Sequence, residues 1–156
     1  MKDIEELATR IVTALKDQQK KISTAESCTG GFIASCITDI PGASKVFLGS
    51  MVVYTEEMKK NLLQIPDEIF RYGIISPQMA EEMALRVRKI TGSDYSISTT
   101  GNLGPDTMEG KPKGLIYVAV STPKEVYVKE LNLKGDRLSN KKETTKESFK
   151  LLLSLL

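Results

Sequence analysis

Ser27 stands in the run Ala25-Glu26-Ser27-Cys28-Thr29-Gly30-Gly31, between a short strand-like segment and a return to helical spacing at Phe32, Ile33, Cys36 and Ile37. A serine on a strand-to-helix turn can expose its hydroxyl, and the N–H groups that open the helix can face a developing oxyanion. The glycines let a substrate approach the backbone closely. The same run also reads as a tight turn with a capping hydroxyl. Cys28 is a rival nucleophile, since a helix N-terminus lowers a thiol's pKa, and equally a small buried residue. Tyr54 and Lys59 fall where a second strand meets a short helix. A desolvated lysine there can lose its proton and take that of Ser27, whereas a solvated one is only a surface charge. Thr100-Gly101-Asn102-Leu103-Gly104-Pro105 follows a third strand, and its Gly-x-x-Gly loop can present N–H groups to a phosphate. Lys111 and Arg137 add cations able to meet an anionic substrate. A long surface loop and a solvated helix start explain these residues as well.

The chain contains no histidine. A Ser-His or Cys-His couple is therefore excluded, as is any metal site built on imidazole. A hydrolase made of this chain must draw its base from lysine, tyrosine, a carboxylate or an N-terminal amine.

These residues need elements to hold them. Ile4, Leu7, Ala8, Ile11, Val12 and Leu15 predict an amphipathic helix over 2–18. Residues 21–25 and 46–54 read as strands, with Pro41-Gly42 closing the helix between them. Thr55 caps the short helix that carries Lys59, and a second short helix follows Pro66. Ser76-Pro77 opens a helix that stops at Gly92. Residues 95–100 form a third strand, and 115–120 with 126–133 form a hairpin around Thr122-Pro123-Lys124. The last helix runs from about 138 to 155. Its Lys141, Lys142, Lys146 and Lys150 alternate with Glu143 and Glu147 as a salt-bridged solvent face. Alternating helices and strands with two adjacent final strands predict a three-layer α/β/α sandwich with a mixed sheet, one domain over 1–156.

Bulk properties agree. The chain has 156 residues, 40% hydrophobic and 27% charged, with a formal net charge of +2. That is the balance of a soluble globular domain and not of a dedicated nucleic-acid binder. The N-terminus carries no apolar signal region and no run spans a membrane, so a cytoplasmic location is the default expectation. Cys28 and Cys36 are expected as free thiols.

Taken in order, the motifs resemble one family over nearly the whole chain. They are Ala25 to Gly31, Thr38-Asp39-Ile40-Pro41-Gly42-Ala43-Ser44, Val53-Tyr54 with Lys59, Gly73-Ile74-Ile75-Ser76, Thr100-Gly101 with Gly104-Pro105, Lys111-Pro112 with Gly114, and Gly135-Asp136-Arg137. This pattern is similar to the CinA C-terminal family. The resemblance implies hydrolysis of the carboxamide of nicotinamide mononucleotide to nicotinate mononucleotide and ammonia, with neither metal nor cofactor. It implies Ser27 as nucleophile, Lys59 as base and Tyr54 as a residue that positions or relays the proton. Thr29, Gly30 and Gly31 would build the oxyanion site. Thr100, Gly101, Gly104, Lys111 and Arg137 would hold the phosphorylated nucleotide. A standalone homodimer without nucleic-acid or membrane partners is implied too. The loop 106–110 departs from the family pattern by having less glycine and two extra carboxylates, and Asn102, Leu103 and Ser50 replace small or apolar residues. The competing expectation is a non-catalytic nucleotide- or protein-binding module linked to competence and DNA damage. The direction of Lys59, inward to Ser27 or outward to solvent, separates the two.

Overall fold

The computed structural model describes residues 1–156. A five-stranded sheet in the order β2-β1-β3-β4-β5 forms its middle layer: β1 (Ile22–Glu26), β2 (Phe47–Val52), β3 (Tyr95–Gly101), β4 (Leu115–Ser121) and β5 (Val126–Asn132). β1 runs parallel to both β2 and β3, while β3-β4 and β4-β5 are antiparallel. Helices α1 (Lys2–Gln18), α2 (Phe32–Thr38) and α5 (Arg137–Leu153) cover one face, and α4 (Pro77–Thr91) covers the other. The short α3 (Glu56–Asn61) lies between β2 and α4 in the chain. No helix is long and apolar enough to cross a membrane.

The faces follow from strand alternation. Ile22, Ile97 and Val120 join Ile11, Leu15, Ile33, Ile37, Phe149 and Leu152 in the larger core under α1, α2 and α5. Ala25 points the other way, into a cluster with Met79, Met83 and Val87 of α4. Ser96 and Ser98, also on the α4 side, donate to the carbonyls of Ala84 and Ala80. Small hydroxyl residues let helix and strand approach closely there while keeping every polar atom bonded.

The expected caps form. Thr55 accepts from Met58 N–H at 3.2 Å and Ser76 from Met79 N–H at 3.0 Å, with Pro77 at the first turn of α4. The segment after Pro66 is a 3-10 helix, Asp67–Tyr72, in place of the short α-helix expected there. The face of α5 bonds mainly to other elements, Lys129 to Glu147 and Lys146 to Asp3, with Lys150–Glu147 the one pair within the helix. Cys28 and Cys36 are both free.

This topology decides where a site can form. The connection leaving β1 leads to β2 on one side, and the connection leaving β2 crosses to β3 on the other. At such a reversal the carboxyl ends of the strands part and leave a crevice. Ser27 follows β1, Tyr54 and Lys59 follow β2, and the 102–114 loop follows β3.

Candidate functional site

Ser27 is fixed on both sides by the sheet it leaves. Its N–H donates to Thr99 O at 3.1 Å, and Val53 N–H donates to Glu26 O at 2.9 Å. The chain then turns, Gly30 N–H donating to Ser27 O at 3.1 Å, and enters α2 through Gly31 at φ 102°, a conformation that glycine adopts without strain. Ser27 is only 7% exposed.

Lys59 reaches it from α3. The Thr55 cap starts a helix of six residues, and one turn later Lys59 points into the protein, 0% exposed. Lys59 Nζ donates to Ser27 Oγ at 2.9 Å and to Val53 O at 2.9 Å, with Tyr54 O at 3.4 Å. Ser27 Oγ also lies 3.4 Å from Tyr54 O. Lys59 takes part in no ion pair. Burial disfavours its charged form and brings its pKa down from 10.5 to about 8, against smaller opposing effects of Cys28, Glu109 and Glu56. An amine so placed can exchange a proton with a hydroxyl near neutral pH.

Cys28 lacks that poise. Burial pushes its thiol up to about 12, which outweighs the Thr99 hydrogen bond and the nearby Lys59. A thiol that stays protonated is a poor nucleophile.

The turn residues divide differently from the expected oxyanion trio. Thr29 Oγ1 donates to Glu26 Oε1 at 2.7 Å, Gly30 N–H goes to Ser27 O, and Gly31 N–H goes to Glu26 Oε1 at 3.1 Å. Those donors are occupied. The N–H of Thr29 has no acceptor in the protein and that of Cys28 meets only its own thiol, and both directly follow the nucleophile candidate. This correction has a simple cause: Glu26, buried, folds back over the turn and satisfies the first N–H groups of α2.

A cavity of about 420 Å³ opens beside Tyr54, lined also by Gly101, Asn102, Leu103, Pro105, Asp106, Met108 and Arg137. Tyr54 is 52% exposed, and its hydroxyl accepts from Arg137 Nη2 at 3.0 Å. Arg137 Nη1 donates to Gly104 O at 2.7 Å. The phenol therefore faces Arg137, while the backbone carbonyl of Tyr54 meets Ser27 and Lys59. Thr100 and Lys111 do not line the cavity. Thr100 Oγ1 donates to Ile74 O, and Lys111 bonds to Ile75 O and to Glu109. Glu109 in turn accepts from Ile74 and Ile75 N–H at 2.9 and 3.0 Å. These two residues strap the loop to the 73–75 segment. Gly101 lines the cavity but is required by the sheet: a Cβ there would sit 2.6 Å from Ile116 Cα.

Three organising residues were given no role from sequence. Glu26 is one. Asn102 holds its loop through Met108 N–H, Met108 O and Lys111 O. Asn140 joins α5 to the loop by donating to Leu103 O at 2.9 Å and Gly135 O at 3.0 Å. The only sequence signal was a polar side chain beside a glycine or a helix start, which is common to many turns.

Residues 4–156 match the family profile described as the CinA C-terminal domain. A relative in Thermoanaerobacter sp., named among the competence-damage inducible proteins, is 46% identical over 138 residues, 86% of this chain and 33% of that protein. The chain thus spans about a third of the length of the curated relatives it matches. The crystal structure of a competence/damage inducible protein from Agrobacterium tumefaciens aligns with TM-score 0.94 at 33% identity, covering 98% of this chain and 95% of that one. A CinA superfamily protein from Escherichia coli aligns with TM-score 0.95 at 30% identity, covering 98% and 90%.

Proposed function

The chain belongs to the CinA C-terminal domain family, and from that premise we propose that it is an amidohydrolase in which Ser27 attacks a carboxamide and Lys59 is the base. The observation that carries this reading is the buried Lys59 Nζ, 2.9 Å from Ser27 Oγ and without a carboxylate partner. A lysine turned outward would have favoured a binding module.

In the proposed reaction Ser27 Oγ bonds to the amide carbon as its proton passes to Lys59 Nζ. The oxyanion is met by the N–H groups of Cys28 and Thr29. Lys59 then returns the proton to the departing nitrogen, releasing ammonia and leaving an ester on Ser27. Water attacks the ester, Lys59 takes the water's proton and passes it to Ser27, and the carboxylate product leaves. The proposed substrate is nicotinamide mononucleotide. Its ribose phosphate would occupy the cavity lined by Tyr54, Gly101 and Arg137; the Gly104 carbonyl, outside that lining, holds Arg137, and the guanidinium keeps N–H groups free beyond its two bonds.

Ammonia release from nicotinamide mononucleotide tests the reading, with wild type compared with Ser27→Ala and Lys59→Ala. We expect turnover by wild type and a loss of about 10⁴-fold or more in each variant, with folding intact. A folded wild type that releases no ammonia defeats the substrate assignment. Full activity in Ser27→Ala defeats the nucleophile.

A further inference from the structure

Glu26 is a buried, heavily bonded carboxylate that the proposed reaction does not use. It is fully buried at the end of β1, one residue before Ser27. Oε1 accepts from Thr29 Oγ1 at 2.7 Å, Gly31 N–H at 3.1 Å and Ile33 N–H at 3.0 Å. Oε2 accepts from Ala34 N–H at 2.9 Å and Thr24 Oγ1 at 3.2 Å. The carboxylate thus spans the whole turn that contains Ser27, tying the strand before it to the helix after it.

A merely structural cap would need one oxygen. Here both oxygens face backbone N–H groups, which can only donate, so the site demands a group that accepts on both sides. Glutamine has the same shape but would turn an NH₂ against one set of those donors. The pattern also divides the N–H groups of the segment. Gly31, Ile33 and Ala34 are drawn to Glu26, and Cys28 and Thr29, which directly follow Ser27, have no partner in another residue.

We propose that Glu26 is a positioning residue, whose carboxylate gathers the opening N–H groups of α2 and so holds Ser27 Oγ on Lys59 Nζ with the Cys28 and Thr29 N–H groups directed at the developing oxyanion. This rests on Ser27 being the nucleophile. Glu26 acts through the turn and touches neither substrate nor Lys59 Nζ.

A fluorophosphonate tests the role without depending on the identity of the natural amide. Ser27 Oγ displaces fluoride from phosphorus while Lys59 takes its proton, and intact mass reports one phosphonyl group per chain. Wild type is expected to label at Ser27, and Glu26→Gln to label about 10²-fold more slowly, the usual cost of a small misplacement. With nicotinamide mononucleotide, kcat should fall in the same proportion while KM stays constant. The midpoint of the labelling pH profile should not move, because Lys59 keeps its surroundings. Glu26→Asp, which retains two acceptor oxygens, should recover part of the rate, and it serves as the test variant if Glu26→Gln does not fold. A folded Gln or Asp variant that labels as fast as wild type overturns the proposal, as does a rise in KM with kcat unchanged. A wild type that never labels overturns the Ser27 reading itself, and the positioning role falls with it.

Discussion

Burying Lys59 among carbonyl oxygens and a hydroxyl, with no carboxylate, brings its pKa down to about 8. If its neutral amine is the base, kcat/KM for ammonia release rises about tenfold per pH unit below 8 and levels off above it. A pH profile flat from 6 to 9 would remove Lys59 from that role. Cys28 gives the complementary test. Held up at about 12 by burial, it stays a thiol throughout that range, so Cys28→Ala should keep activity within a few-fold and resist thiol reagents as wild type does. Inactivation of wild type by a thiol reagent, abolished in Cys28→Ala, would reverse the assignment of Ser27 and Cys28. Sequence could not decide between these two neighbours, because both are buried and the difference lies in which one Lys59 reaches and in the desolvation that keeps the thiol protonated. It could identify the pair to be tested, since the absence of histidine leaves few bases and Lys59 follows Tyr54 at a strand end.

The strands and helices bring these residues together through contacts that sequence shows only in part. Thr55, Ser76, Pro77 and Gly92 announced their helix ends because caps are local chemistry. Glu26 did not, since its bonds to Ile33 and Ala34 cross a turn and resemble no contiguous capping pattern. Thr100, near the end of β3, and Lys111, on the loop after it, were expected to hold the nucleotide but serve the strap to residues 74 and 75. Gly101 shows the same ambiguity in a testable form. It lines the cavity, yet a Cβ would meet Ile116 Cα and Leu115 O at 2.6 Å, backbone atoms that cannot yield without opening the β3-β4 ladder. Gly101→Ala should therefore cost about 2–3 kcal/mol, read as a lower urea midpoint with an unchanged slope. Unaltered stability with a raised KM would instead make Gly101 a ligand-contacting glycine.

At the scale of the molecule, alternating elements indicated a layered α/β fold, but the order β2-β1-β3-β4-β5 depends on pairings between segments far apart in sequence. That order opens the crevice at the end of β1, and a lysine buried there should leave its mark on overall stability. Unfolded, Lys59 titrates near 10.5, and folded, near 8. Between those values the unfolded chain binds a proton that the folded chain does not, so this group makes stability rise with pH from 8 to 10.5. The shift corresponds to about 3 kcal/mol, a cost fully present below pH 8 and gone above 10.5. The cysteines act in the opposite sense. Cys28 and Cys36, raised from 9.0 to about 12 and about 11, contribute stability below pH 9 that is lost as pH climbs through those values. The curve for wild type alone would therefore mix the two. Urea unfolding of wild type and Lys59→Met from pH 7 to 10.5 separates them, because the cysteine contribution cancels in the difference. Loss of the bonds to Ser27 and Val53 adds only a constant offset. The stability of wild type relative to Lys59→Met should be flat below pH 8 and then climb by about 3 kcal/mol. A difference that stays level across the whole range would mean that Lys59 keeps an ordinary pKa in the folded protein, too high for the base that the proposed reaction requires.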